Sequence, residues 1–312
     1  MAIKPSLQRV GELPVVKALT TSVTPSRERL IAAAAAIALS PGTVEDACYL
    51  HTVLCQVGMP RKRTEDLTFE RTNGSSSLLL TAGKLWNDKA KRWEQQQLPY
   101  GPKPRLVLIN LTSKAIMTGS RVVDVGRSTR EFLDRMGLDA QGSEYRSLRR
   151  QLEALSACRM QLGGPTIRSL EYKPIDRLDV WIAPNENQQT LWPGKVELDQ
   201  VYFDNVREYA VPLDERAIAA LRGSALALDI YTWLAQRLIR VKRGGLTVEW
   251  SALKSQFGQE YGDLNNFRTE FLGALLQVVQ VYRSAQVETV EGGLMLKPSA
   301  PPIPRIMLPG IR

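Results

Sequence analysis

Between Leu246 and Lys297 the chain reads LTVEWSALKSQFGQEYGDLNNFRTEFLGALLQVVQVYRSAQVETVEGGLMLK. A short alternating run comes first, then an amphipathic stretch closed by Gly258 and a turn at Gly262-Asp263. A longer stretch with helical periodicity follows, and two more alternating runs flank Gly292-Gly293. Period-two and period-3.6 patterns in this order predict strand, helix, turn, helix and β-hairpin. That order is the body of a winged helix.

In the longer helix, 3.6 residues per turn gathers Leu264, Phe267, Phe271, Leu275, Val278 and Tyr282 on one side. The other side carries Asn265, Asn266, Thr269, Gly273, Gln277 and Gln280, with Arg268 at the flank. Solvated helix faces in basic proteins are usually rich in Lys and Glu, whereas this one is mostly amide and hydroxyl. Asn and Gln make bidentate hydrogen bonds to adenine in a major groove, and Thr contacts the thymine methyl. The sharp reading is a recognition helix whose first turns enter a major groove. The plain one is a polar surface helix with no partner.

Composition narrows the choice. A length of 312 residues suits two domains. A formal charge of +9 points to a polyanionic partner, a signal shared with ribosomal and membrane-surface proteins. Cys48, Cys55 and Cys158 have no CxxC spacing and read as core thiols in a reducing, cytoplasmic compartment. His51 is the single histidine, which excludes an HExxH site, the usual Cys/His zinc spacings and a nicking site built on a metal-bound His pair. It lies in the apolar run YLHTVLCQV and reads as a packed or capping residue. Gly83-Lys84 lacks the rest of a phosphate-binding loop. No catalytic residue, metal site or cofactor is assigned, and the chain reads as non-enzymatic. The apolar run Leu30 to Leu39 is too short to span a bilayer, so no membrane partner is expected.

Along the chain, an Ala-rich helix is expected from about Thr24-Pro25. CYLHTVLCQVG fits strand and helix equally. LTFERTNGSSSLLLTA reads as a hairpin around Asn73-Gly74. Lys84, Lys89, Lys91 and Arg92, interleaved with Trp86 and Trp93, suit either nucleic-acid backbone contact or an amphipathic surface helix. RLVLINLTSKAIMTG reads as a buried helix and RVVDVG as a strand. STREFLDRM reads as a helix with a capping box from Ser128 and Glu131. In SEYRSLRRQLEALSACRM, Tyr145, Leu148, Leu152 and Leu155 share a face, Arg146 and Arg150 point away, and Arg149 lies beside them. Strand-like runs, among them IRSLEY, LDVWIA and KVELD, extend to about Tyr209. A short helix follows over Glu215 to Leu221, then a core helix over Ala225 to Val241 that ends in Arg237, Arg240, Lys242 and Arg243. That basic cluster either complements the helix dipole or grips phosphate.

Helix, strand, helix, helix and strands thus occur twice. The expected fold is α+β: two tandem winged-helix modules with an N-terminal helical/strand extension. A flexible arm is expected over 1–25, the first module with extensions over 26–212, the second over 213–300 and a Pro-rich tail over 301–312. Arginines on the first module suit backbone grip or assembly, and amides on the second suit base readout.

The blocks HTVLCQVGMPR, LPYGPKPRLVLINL, STREFLDRMGL and RSLRRQLEAL, and the stretch from Trp250 to Ile303, resemble plasmid-encoded RepA-type replication initiators over roughly residues 45–303. The resemblance implies a protein that binds repeated double-stranded sites (iterons) at a plasmid origin, with a first module for dimer formation and secondary DNA contact. It also implies melting of an AT-rich segment and recruitment of a host initiator and helicase. On that basis Asn265, Asn266, Arg268, Thr269 and Gln277 fall on the base-reading helix. Arg146, Arg149 and Arg150 become DNA contacts of the first module, and Arg237, Arg240, Lys242 and Arg243 become phosphate ligands. A transcriptional repressor with one operator is the alternative. An enzyme using Asp124, Asp134, Asp176 and Asp179 is a third reading, although these acids show no two-metal spacing.

Overall fold

The computed structural model describes residues 8–9, 25–138, 142–165, 167–176 and 194–304. Its elements begin with β1 (Gln8–Arg9), α1 (Pro25–Leu39), β2 (Ala47–His51), α2 (Thr52–Gln56), β3 (Thr68–Asn73), β4 (Ser76–Thr81), β5 (Lys84–Asn87) and β6 (Arg92–Gln95). Then come α3 (Pro102–Thr118), β7 (Val122–Asp124), α4 (Thr129–Arg135), α5 (Gly142–Ala157), β8 (Arg159–Gly164), β9 (Ile167–Tyr172) and β10 (Lys195–Glu197). The chain continues with α6 (Gln200–Tyr209), β11 (Ala210–Asp214), α7 (Glu215–Leu221) and α8 (Ala225–Arg237). It closes with β12 (Leu246–Glu249), α9 (Trp250–Phe257), α10 (Leu264–Val281), β13 (Val287–Val290) and β14 (Gly293–Leu296). This is an α+β fold.

Two compact units form, a central one from residues 48–210 and a terminal one from 1–47 together with 211–306. In the central unit α3 is the core helix. Pro102 pre-sets its first turn, and Gly119 ends it in the left-handed region at φ 65°. Arg105 is buried on α3 and donates to the carbonyls of Met59 (2.6 Å), Pro60 (3.1 Å) and Gly101 (2.7 Å). Those bonds offset the cost of burying a cation and fix the preceding loop. Thr112 shares a 2.8 Å hydrogen bond with the Tyr202 hydroxyl of α6, and Tyr202 stacks on Tyr172 of β9 at 4.5 Å.

The run that reads as either strand or helix is both. β2 passes into α2 at His51, whose Nδ1 accepts the Val53 N–H at 3.2 Å and caps the helix. The Asn73-Gly74 hairpin forms, with Gly74 at φ 57°, and joins the β8–β9 hairpin in the antiparallel sheet β3-β4-β8-β9. Leu78 and Leu80 lie across from Leu162 and Met160, and all four are buried.

The structure differs from the sequence reading at several places. The Lys/Trp stretch is no surface helix: β5 and β6 form a hairpin that sets Trp86 opposite Trp93. Residues 200–209 form a helix, capped by the Asp199 carboxylate on the N–H groups of Val201 and Tyr202, where strand-like runs are expected. Tyr202, Phe203 and Val206 are its buried face, at helical spacing. LDVWIA lies outside the described residues, as do the N-terminal arm apart from Gln8–Arg9 and the tail beyond residue 304. In the α4 cap the Ser128 side chain accepts from Glu131 N as expected, but the Glu131 carboxylate accepts from Arg127 N rather than Ser128 N.

The terminal unit combines both ends of the described chain. α1, grouped with the first module by sequence, packs on α7 and α10. Arg216 of α7 anchors the segment after α1. Its guanidinium forks onto Asp214 at 3.0 and 2.7 Å and donates to the Ser40 carbonyl at 2.9 Å. α8 is buried from Ala225 through Gln236. The sheet order is β1-β13-β14-β12, so the strand before α9 pairs with the second strand of the C-terminal hairpin. The central unit has the same element order but another pairing, because β7 pairs with β10 and not with the β8–β9 hairpin.

Candidate nucleic-acid interface

Phe271 centres the terminal unit's core. Its ring lies 5.5 Å from Phe257, 5.4 Å from Phe267 and 6.1 Å from Trp250, and it is fully buried. Phe267, Leu275, Val278 and Tyr282 are buried with it, as the periodicity requires. Leu264 departs from that set at 40% exposed, because the first turn of α10 projects beyond the core.

That projection shapes the site. Asn265, Asn266, Arg268 and Thr269 are exposed on the first two turns, and from Phe271 onward the helix is largely covered. Gln277 is half-buried and sits well along α10 from the exposed turns, so it does not join the other four. The Asp263 carboxylate caps α10 by accepting from Asn266 N at 2.8 Å. Thr269 Oγ1 donates to the Asn265 carbonyl at 3.1 Å, which commits its hydroxyl proton within the helix. Glu270 is also exposed beside these residues, an acid that the amide pattern of the sequence obscures. A carboxylate there repels phosphate and can accept from cytosine N4.

Arg268 is positioned by a residue far from it in sequence. Its guanidinium lies over the Trp250 ring, 5.0 Å from the centroid. Trp250 N donates to the Gly292 carbonyl at 2.9 Å, which ties α9 to the turn of the β13–β14 hairpin. The expected Gly-Gly turn is Glu291-Gly292, with Val290 paired to Gly293. Gly292 takes φ 86°, and Gly293 is needed for close approach, since a Cβ there would stand 2.1 Å from the Val248 carbonyl oxygen.

Arg237, Arg240, Lys242 and Arg243 are all exposed on the segment running from the end of α8 toward β12. In the central unit Arg146 and Arg150 are exposed on α5, and Leu148, Leu152 and Leu155 are buried. Arg149 is half-buried, and its Nε donates to Glu153 at 2.9 Å, so its charge is already matched.

Two acids of the enzyme reading, Asp124 and Asp176, each face an arginine. Asp124 is held by Gly126 N and Arg135, which keep its carboxyl below the usual range, the backbone hydrogen bond most strongly. Asp176 lies 3.9 Å from Arg121, and Asp179 is outside the described residues. Among the described residues no group of three His, Cys, Asp or Glu could hold a metal ion. No helix among them is long and apolar enough to cross a membrane.

Residues 98–252 match the family described as plasmid encoded RepA protein, RepA_C. Over that segment the chain is similar to this family of plasmid-encoded RepA proteins. The match spans α3 through α8, β12 and the opening of α9, and stops before α10. No curated protein matches the chain. Among solved structures, SeMet derivatives of domain 2 and domain 3 of RctB superpose with a TM-score of 0.51 at 11% identity, covering 79% of this chain and 97% of that one. Another crystal structure of RctB domains 2-3 gives a TM-score of 0.46 at 12% identity, over 75% and 83%. At such identity the first likeness is one of fold.

Proposed function

We propose that this chain initiates plasmid replication by binding repeated double-stranded sites at its origin through the terminal unit, without catalysing a reaction itself. The observation that carries the reading is α10: its first two turns alone present a cluster of Asn, Asn, Arg and Thr, and an aromatic core holds the rest. Strand, helix, helix and hairpin, with β12 added to β14, support a winged-helix module that sets those turns into a major groove. Asn265 and Asn266 then read adenine, and their side-chain amides make no hydrogen bond among the described residues that competes with a base. Arg268 reads guanine or grips the backbone. Arg237, Arg240, Lys242 and Arg243 hold phosphates.

In the central unit Arg146 and Arg150 serve as secondary DNA contacts, and this unit supports self-association as a dimer. Its short β7–β10 ladder makes it a more distant variant of the winged helix. Origin opening and recruitment of a host initiator and helicase, in the cytoplasm, complete the proposal. Footprinting the DNA that flanks the reading frame, at fixed moderate salt, is the test. Evenly spaced protected repeats support the initiator. A single protected palindrome at the promoter favours a repressor, and uniform binding to any DNA refutes sequence readout.

A further inference from the structure

We propose that the β5–β6 ribbon of the central unit is a stacking platform for single-stranded DNA. Trp86 and Trp93 stand opposite one another across the ribbon. Their rings meet edge to face, with centroids 5.7 Å apart and planes at 67°. They remain 47% and 63% exposed, a large apolar area for two adjacent residues. A cross-strand aromatic pair also stabilises a two-stranded ribbon, which is marginal on its own. That role is met by the contact between the two rings, and it leaves the charge around them unexplained.

Lys84, Lys89, Lys91 and Arg92 are exposed on the same ribbon, against two acids, Asp88 and Glu94. Lys91 is 2.7 Å from Asp88, and Arg92 is 3.3 Å from Glu94, so these pairs offset one another and the ribbon's surplus positive charge is that of Lys84 and Lys89. At the base of the ribbon Gln95, Gln96 and Gln97 line an open cleft in which Arg63 and Arg150 face the acids Glu65, Asp66 and Glu153. One of the candidate DNA-contact arginines therefore lies in the cleft at the foot of the ribbon.

Exposed aromatic faces among cations match a single-stranded polyanion, whose unstacked bases offer π-faces and whose backbone offers phosphates. A duplex offers the phosphates but keeps its base faces stacked. The choice of DNA rests on the function proposed above, and the platform would hold a strand released when an origin opens.

The test uses the full chain and fluorescence anisotropy at one salt concentration, with labelled oligothymidylate as one probe and the footprinted duplex repeat as the other. W86A/W93A should weaken oligothymidylate binding by roughly tenfold or more and leave duplex binding within about twofold. W86F/W93F should restore most of the loss, because Phe keeps a face to stack on and a pair to hold the ribbon. N265A/N266A should do the reverse, losing the duplex and keeping the single strand. The inference is overturned if W86A/W93A binds oligothymidylate as tightly as the unaltered chain, or if the unaltered chain binds the duplex but not the single strand. It is also overturned if W86F/W93F fails as fully as the alanine pair while circular dichroism shows the fold intact. Loss of duplex readout alone would count against the proposed function and leave the platform standing.

Discussion

The guanidinium of Arg268 rests over the indole of Trp250, 5.0 Å from the ring centroid. Trp250 is itself buried, packed against Phe271 and bonded through its N–H to Gly292. One residue therefore connects three parts of the unit: its indole touches the exposed turns of α10 and the aromatic core, and its backbone N–H holds the hairpin turn. Arg268→Ala should cost about 1–3 kcal/mol of DNA binding with little change in stability. Trp250→Phe should keep the fold and weaken the same binding less. Trp250→Ala should destabilise the unit by about 3–5 kcal/mol. Titration with DNA and urea denaturation on the three variants separate these effects.

The two glycines of the C-terminal hairpin should respond differently to the same substitution. Gly292→Ala places a side chain at φ 86° in open space and should cost about 1 kcal/mol. Gly293→Ala sets a Cβ against the Val248 carbonyl and breaks the β12–β14 ladder, so it should cost several times more. Thermal melts rank them; equal costs would show that the ladder is not under the constraint its geometry implies.

Burial holds the His51 imidazole near a pKa of about 4, well below its ordinary 6.5, because the charged ring is disfavoured there. As pH falls, the unfolded chain takes up this proton before the folded one. Stability is therefore fully present above pH 6.5 and drains away as pH drops toward 4, by about 3 kcal/mol in all. His51→Gln removes the titration, so its denaturation midpoint should fall less between pH 7 and pH 4.5 than that of the unaltered chain.

Replacing Arg237, Lys242 or Arg243 with Gln should weaken binding to every DNA sequence about equally and lower the salt slope by about 1 each. A change confined to one sequence would mark that residue as a base reader instead.

Patterns within a single element were legible in the sequence. The buried set Phe267, Phe271, Leu275 and Val278, the Ser128 cap and the Asn73-Gly74 hairpin follow from local spacing and turn chemistry. What depends on distant partners was not. The Arg268–Trp250 contact joins residues with no periodic relation, and α1 is recognisable as a helix without any sign that α7 and α10 cover it. The exposure of Leu264 follows from where the core ends, which no helical repeat encodes. The stretch at Trp86 and Trp93 reads as nucleic-acid contact or a surface helix from its cations and aromatics, and the ribbon it forms depends on pairing between its two halves.

Affinity for one footprinted repeat, compared between the unaltered chain and Asn265→Ala/Asn266→Ala at the same salt, tests sequence readout by α10 most directly. Readout predicts a loss of about 1–3 kcal/mol for each amide, confined to the repeat, with binding to unrelated DNA unchanged. Equal affinity of the two proteins for the repeat would contradict it and return α10 to an ordinary solvated helix.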